Sequence, residues 1–309
     1  MKKIIIRIAI VLIIIAIPIG AYGYKQYQNV KSGVDDMQIT LSDTPKDDID
    51  LKSEKVDANE PLSFLLLGIG DRPDDPGRAD AIIVVSVNPE KEEILTFNIP
   101  RDTKAEIVGK GIFDKMNHAY SYGSTEMTVD TVENFLDHSF DYVVQVNMQG
   151  LRDIVDVFGE IEVDNPFYFF QNDELGEDTH HYAEGEIKLD GERALHYSRM
   201  RKRDPRGDFG RNDRQKQVIQ AILDKASSPG SLFKIESAMD VLSENVKTNI
   251  SFPEVKDFYS LYTNEWNEFD MTNLELEGDM GMEDGVYYYL IPEEEQLMIH
   301  DTLTDFLEG

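Results

Sequence analysis

The sequence predicts an α/β protein: a three-layer α-β-α sandwich around a central mixed, twisted sheet, preceded by one transmembrane helix. Three observations carry that expectation. Compact apolar runs at Ser63–Leu67, Ala81–Val87 and Ile94–Ile99 have the length of buried strands. Segments of helical period at 128–136, 149–158 and 215–226 follow or alternate with them, so helices are expected on both sheet faces. Lys2, Lys3 and Arg7 stand before an uncharged stretch long enough to span a bilayer.

That stretch comes first. The uncharged run is Ile8 to Tyr24, Ile4 to Ile6 extend it apolar on the near side, and counting from Ile4 gives 21 residues, enough for a helix across a hydrocarbon core of about 30 Å. The positive end leads, which predicts a cytoplasmic amino terminus and an extracellular remainder. A cleaved signal peptide is the competing reading, but no clean small-x-small site precedes Lys25. Residues 1–25 are thus read as cytoplasmic tip and anchor, and the chain as a single-pass protein of the cell membrane. Residues 26–60 are polar, acidic and weakly periodic, and read as a stalk with room for a short helix. Residues 61–309 are left for one domain, with its motif-bearing part at 62–223 and further helices and a strand at 231–309.

Composition narrows the chemistry. There is no cysteine, which excludes thiol catalysis, disulfides and thiolate metal sites. The net charge is -30 and the pI near 4.4, which argues against nucleic acid as a partner.

Within the domain the first strand ends at Gly68-Ile69-Gly70, and a loop from Asp71 to Asp80 leads to the second. Gly68-x-Gly70 lacks the third glycine of a dinucleotide fingerprint. The loop begins and ends in a carboxylate. Two acids at adjacent strand ends suit one hard divalent cation, though acids in a polar loop are also commonly just solvated. The second strand turns at Asn88-Pro89-Glu90-Lys91 into the third, which runs into Pro100-Arg101-Asp102. Arg101 there is placed either for a ligand or for a salt bridge with Asp102. Tyr142–Val146 is a fourth strand, and Leu151, Ile154, Val155 and Phe158 mark the helix that Gly159 stops. Phe167–Phe170 reads as core cover, and His180 and His181 as solvent-facing loop residues. Helices are expected at Ser237–Val246, Pro253–Trp266 and Pro292–Leu307, and a late strand at Val286–Ile291.

The most telling stretch is cationic. Arg193 to Lys216 holds nine Lys or Arg against three Asp, a charge of +6 inside a strongly acidic chain. A cluster that repels itself implies an anion among it, and a majority of Arg favours phosphate through its planar, two-pronged donor set. Arg211 and Gln215 share the apolar face of Val218, Ile219 and Ile222, and Arg199 and Arg201 extend the face of Ala194, Leu195 and Ser198. Two helix ends thereby aim arginines at one space. A solvated basic loop is the plainer alternative.

Arg199-Met200-Arg201, then Asp208-Phe209-Gly210-Arg211 and Arg214-Gln215, resembles the signature of the LytR-CpsA-Psr family of membrane-anchored bacterial enzymes. Asp71, Arg78 and Asp80, then Pro100-Arg101-Asp102, then Lys115-Met116-Asn117-His118-Ala119-Tyr120 match further motifs of that family in its order. The resemblance implies transfer of a phosphate-linked glycopolymer, of teichoic acid type, from a polyprenyl pyrophosphate carrier to a muramyl hydroxyl of peptidoglycan. It implies Mg²⁺ or Mn²⁺ held by Asp71 and Asp80. Pyrophosphate would then lie against Arg78, Arg101, Lys115, Arg199, Arg201, Arg211, Arg214 and Gln215. Arg199, Arg201, Asp208 and Arg211 are the implied catalytic set, Asp208 either steering Arg211 or accepting the hydroxyl proton, while His118 is expected to be structural. A polyprenyl-phosphate-binding module without catalysis is the alternative class. A membrane-tethered transcription attenuator would need a cytoplasmic DNA-binding part, which the few residues before the apolar run do not provide.

Overall fold

The computed structural model describes residues 25–39, 60–72, 75–172, 179–226, 228–264 and 268–308. The chain opens with α1 (residues 25–37), then β1 (Leu62–Arg72), β2 (Asp75–Asn88), β3 (Glu93–Asn98), β4 (Lys104–Ile107) and β5 (Ile112–Lys115). There follow α2 (His118–Leu136), β6 (Tyr142–Asn147), α3 (Met148–Phe158), β7 (Ile161–Asn165), β8 (Phe169–Asn172), β9 (Thr179–Tyr182) and β10 (Gly185–Leu189). Next are α4 (Gly191–Arg199), α5 (Asp208–Ala226), α6 (Ile235–Asn245), β11 (Val246–Thr248) and α7 (Phe252–Asn264). The chain closes with β12 (Asp270–Glu275), β13 (Asp279–Glu283), β14 (Val286–Leu290) and α8 (Glu293–Glu308).

Six strands pair in the order β11-β6-β1-β2-β3-β12. β1/β2, β2/β3 and β11/β6 are antiparallel, while β6 joins β1 and β12 joins β3 in parallel, so the sheet is mixed. The period-two alternation of the strands divides the core. Leu65, Leu67 and Ile69 lie with Ile82, Val84, Leu95 and Phe97 against Val129, Val132 and Leu136 of α2 and Ile299, Leu303 and Phe306 of α8. On the opposite face Phe64, Val85, Val87 and Ile94 meet Phe258 and Leu261 of α7. A separate cluster binds α3, α4 and α5 to the ribbons β7/β10 and β8/β9 through Val155, Ile161, Phe169, Tyr182, Leu189, Tyr197 and Val218. The expected layering of helices on both faces of a central mixed sheet is therefore present.

Turn chemistry fixes the strand order near the site. The Asn88 side chain accepts from the backbone N–H groups of Glu90 and Lys91 at 3.0 and 3.2 Å, which folds β2 back into β3. Gly159 adopts φ 90° at the end of α3, a conformation that favours glycine.

Four expectations are corrected. The ten-residue loop from Asp71 to Asp80 is instead the far arm of the β1/β2 hairpin, with Gly70 paired to Arg78 and Arg72 to Asp75. Register shifts at Gly68/Ile69 and Gly70/Arg72 let this polar arm continue the ladder past the apolar run that marked the strand. The helix expected from 128 begins at His118 and kinks at Gly123 and Ser124, where polar and small residues hide its period. Residues 26–39, read as stalk, dock on the domain: Val34 and Met37 are buried, Tyr27 meets the edge of Phe252, and Gln38 bridges Thr248. His180 is half-buried against His196 rather than solvent-facing. The expected membrane span, residues 4–24, lies outside the described residues, and no helix among the described ones is long and apolar enough to cross a membrane.

Candidate active site

The site forms where β1, β2 and β3 end together. Gly70 on β1 lies opposite Arg78 on β2, two residues before Asp80, and β3 delivers Arg101 and Asp102 just beyond Pro100. Asn117 donates its backbone N–H to the Arg101 carbonyl at 3.1 Å, and Met116 donates to Thr103 at 2.8 Å. These bonds draw the Lys115 segment over the strand ends. The result is a pocket of about 190 Å³ lined by Gly70, Arg78, Asp80, Arg101, Asp102, Lys115, Asn117 and His118.

Its charges are paired. Arg101 Nη1 donates to Asp80 Oδ1 at 2.6 Å, and Lys115 Nζ to Asp102 Oδ1 at 2.9 Å. Arg201 Nη2 reaches within 3.9 Å of Asp102 Oδ2, as does Arg101 Nε, so the cationic loop does meet the strand ends. Among the described residues, four cations (Arg78, Arg101, Lys115, Arg201) stand with the carboxylates of Asp80, Asp102 and, behind the wall, Asp114. Cations gathered in a partly water-excluded recess suit a polyanion of the size of a diphosphate. Gly70 is needed here: a Cβ on it would fall 2.3 Å from Asp80 Oδ2, so Gly70→Ala is expected to dislodge that carboxylate.

Asp114 anchors the pocket wall. Its Oδ2 takes bonds from the His118 ring at 2.9 Å and the Tyr122 hydroxyl at 2.7 Å, and its Oδ1 from the Lys115 backbone N–H at 2.8 Å. Burial alone would raise its pKa, but these bonds outweigh it and hold the carboxyl below its ordinary value. A carboxylate with a depressed folded pKa adds stability that is present above its unfolded value, near pH 4, and lost as pH falls through the folded one. Asp114→Asn is therefore expected to melt lower than wild type at pH 7, with the gap narrowing as pH falls below about 4. Thermal melts across pH check it. His118 is thereby held as a structural member of the wall, as the sequence suggests.

The cationic stretch proves partly self-supporting. Arg214 is fully buried and gives its Nε to the Tyr197 carbonyl at 3.2 Å, one Nη to the Met200 carbonyl and the other to buried Asp204. Asp204 also caps the Arg206 N–H at 2.7 Å, and a Cβ at Gly210 would collide with its carboxylate. The expectation that Arg214 touches pyrophosphate is corrected: its donors hold the loop between α4 and α5. Arg206 pairs with Asp213 at 2.7 Å, Arg203 lies 3.5 Å over the Phe170 ring, and Arg193 lies 5.1 Å over Tyr182. Two of the stretch's own three acids, Asp204 and Asp213, thus hold two of its nine cations, and the rings of Phe170 and Tyr182, from outside the stretch, lie under two more.

Arg199, Arg211 and Gln215 are not among the residues that line this pocket. Arg199 closes α4, half-buried, and Arg211 and Gln215 are buried one turn apart in α5, on its inward face. The Asp71 and Asp208 side chains lie outside the described ones. Sequence reasoning missed Tyr287 and Tyr288, which come from β14 to stand over Lys115 Nζ at 5.6 Å and near Asp114. Nothing local signals them, because their register is set by pairing with β13.

Comparison with known proteins meets this geometry. Residues 24–305 match the model of the LytR_cpsA_psr family. The chain is 39% identical over 307 residues to the polyisoprenyl-teichoic acid–peptidoglycan teichoic acid transferase TagU of Bacillus mycoides (strain KBAB4), covering 99% of this chain and 98% of that one. It is similar to the crystal structure of TagU from B. subtilis, with TM-score 0.64 and 42% identity over 81% of this chain and 98% of the other. It is also similar to TagT bound to LIIa-WTA, with TM-score 0.65 and 30% identity over 82% and 92% of the two chains. With ordered motifs, a shared mixed sheet and a match across most of its length, this chain belongs to the LytR-CpsA-Psr family.

Proposed function

We propose that this protein transfers a teichoic acid type glycopolymer from a polyprenyl pyrophosphate carrier to peptidoglycan, anchored in the cell membrane with its domain outside. The carrying observation is the recess at the strand ends, which gathers Arg78, Arg101 and Lys115 with Asp80 and Asp102, and which Arg201 reaches at Asp102. The near full-length match to a protein named as a teichoic acid transferase supports the reaction class, and TagT bound to LIIa-WTA supports the kind of donor.

In the reaction an acceptor hydroxyl oxygen attacks the glycan-bearing phosphorus, a new P–O bond forms, and the bond to the bridging oxygen breaks to release polyprenyl phosphate. Negative charge grows on the bridging and non-bridging oxygens. Preplaced guanidinium groups meet it, and because they are already oriented they need no reorganisation at the barrier. Arg101 is held by Asp80 until the donor arrives, and trades that partner for a phosphate oxygen. Arg201 stands next to Asp102, and Arg199 on α4 and Arg211 on α5 are the further guanidinium groups assigned to the same diphosphate. Asp208 is the candidate to steer Arg211 or take the hydroxyl proton. Asp80, a half-exposed carboxylate at the pocket mouth, fits a hard divalent ion, which typically takes one or two carboxylates and completes its shell with water and phosphate oxygens. Mg²⁺ or Mn²⁺ there, with Asp71 as second ligand, would neutralise phosphate charge.

The test uses the full chain in detergent with lipid-linked glycan, Mg²⁺ and peptidoglycan. Polymer attached to the wall by wild type, and not by Asp80→Ala or Arg199→Ala, is the expected result. Normal transfer by both variants would refute the site, and retained lipid without turnover in wild type would favour a binding module.

A further inference from the structure

Away from the pocket, His180 on β9 and Glu192 and His196 on α4 bring their ligating atoms within 4.8 Å of one another, the one such group of three among the described residues. We propose that these three side chains form a binding site for a Zn²⁺-class transition metal ion that clamps the β8/β9 hairpin to the arginine-bearing helix α4. The inference goes beyond the transfer reaction and does not depend on it.

Position comes first. Glu192 and His196 are four residues apart on a helix, so both side chains stand on one face, one turn from each other. His180 approaches that face from the neighbouring hairpin, whose strand β9 pairs with β8 from Phe169–Tyr182 to Asn172–Thr179. Its Nε2 lies 3.4 Å from Glu192 Oε1. Donors about 2.0–2.1 Å from a tetrahedral zinc are roughly 3.4 Å from each other, so this edge already has the required length. The His180 and His196 rings lie 4.9 Å apart and tilted by 31°. Closing the remaining separation takes side-chain rotation rather than backbone movement.

Burial supplies the second, independent observation. His196 is 93% buried by its 7% exposure, and His180 Nε2 is itself buried yet makes no hydrogen bond. A buried ring nitrogen without a hydrogen bond is unfavourable, and a bound metal would satisfy it. Glu192 is exposed, which leaves a way in for the ion and a coordination position for water.

The donor set decides the ion. Two imidazoles with one carboxylate suit zinc and its neighbours, whereas Mg²⁺ prefers oxygen ligands with retained water. Neutral imidazole is the form that binds metal. The frame is also held without the ion: Arg193 donates to the His181 carbonyl at 2.9 Å, and Tyr182 to the Arg193 carbonyl at 3.0 Å. The ligands therefore sit on elements that already touch. α4 ends three residues later at Arg199, and β8 presents Phe170 beneath Arg203, so the clamp would stiffen the elements leading to the arginine loop.

The test is a zinc titration of the full chain in detergent, carrying a tag without histidine and stripped of metal, read by competition with a chromophoric chelator. One equivalent should bind tightly and resist millimolar Mg²⁺. His180→Ala and His196→Asn should each weaken binding by roughly 100-fold or more, judging from the 10–100-fold that even indirect partners of a metal contribute. His181→Ala and Asp80→Ala should leave it unchanged. Zinc should also raise the melting temperature of wild type and not of His180→Ala, a readout that stands even if His196→Asn folds poorly. Co²⁺ in place of zinc should give the strong visible bands of four or five ligands. No saturable binding, equal affinity in His180→Ala, or loss of binding in His181→Ala or Asp80→Ala would overturn the proposal.

Discussion

Arg101→Ala is expected to lower the rate of glycopolymer transfer by about 10²–10³-fold, the loss seen when one preplaced donor to a developing oxyanion is removed. Arg101 is the donor whose position is best explained by the fold. It lies directly after the strand-ending Pro100, its carbonyl is held by the Asn117 N–H, and its guanidinium is aimed by Asp80 at 2.6 Å. Its side chain is about three-quarters covered, with 25% exposure, so water screens it only partly. Loss of Arg101 leaves Asp80 in contact with solvent, at 24% exposure, so the fold should survive. Lys at this position should restore only part of the rate, since one ammonium cannot give a phosphate the two parallel bonds of a planar fork. Steady-state kinetics check this: the fall should appear in kcat as well as kcat/KM, because the contact strengthens as charge develops.

Arg214→Met is expected to destabilise the domain by roughly 3–5 kcal/mol, the usual penalty for breaking a buried ion pair from one side. Its partner Asp204 is wholly covered and would keep an uncompensated charge, while the Tyr197 and Met200 carbonyls lose their donor. At roughly 2–4 °C per kcal/mol for a chain of this size, the melting temperature should fall by about 10 °C. Replacing both partners, with Asp204→Leu added, should recover part of the loss because no buried charge remains. Thermal melts of the single and double variants decide the point. An Arg214→Met protein that melts like wild type but fails to bind donor would return Arg214 to the role its motif suggested.

The contrast between Arg101 and Arg214 shows what the sequence could and could not disclose. Strands β1 to β3 and helices α3, α4, α6, α7 and α8 were legible because each buries a face of regular period, and Gly159 or Asn88 marks where one ends. The Arg78, Asp80, Arg101 and Lys115 set was legible as motifs in order, and the fold gathers these four into one pocket. Ribbons β4/β5 and β7/β10 escaped because they are short and half-exposed, so their pairing is set by the chain around them. The division of labour among the arginines escaped for a related reason. Nothing in Arg199 to Gln215 tells which guanidinium meets Asp204 or Phe170, since those choices depend on how the loop folds back over α5. His180 was misread because its partner His196 lies on helix α4 and not beside it in sequence.

Calorimetric titration of the protein with a short-chain polyprenyl pyrophosphate, with and without Mg²⁺, tests the pocket as a diphosphate site most directly. The account predicts one saturable site in wild type, tighter with Mg²⁺, and binding weakened at least about tenfold in Arg101→Ala, as for loss of one charge-assisted hydrogen bond. Equal binding by wild type and Arg101→Ala, or none by a folded wild type, would contradict it.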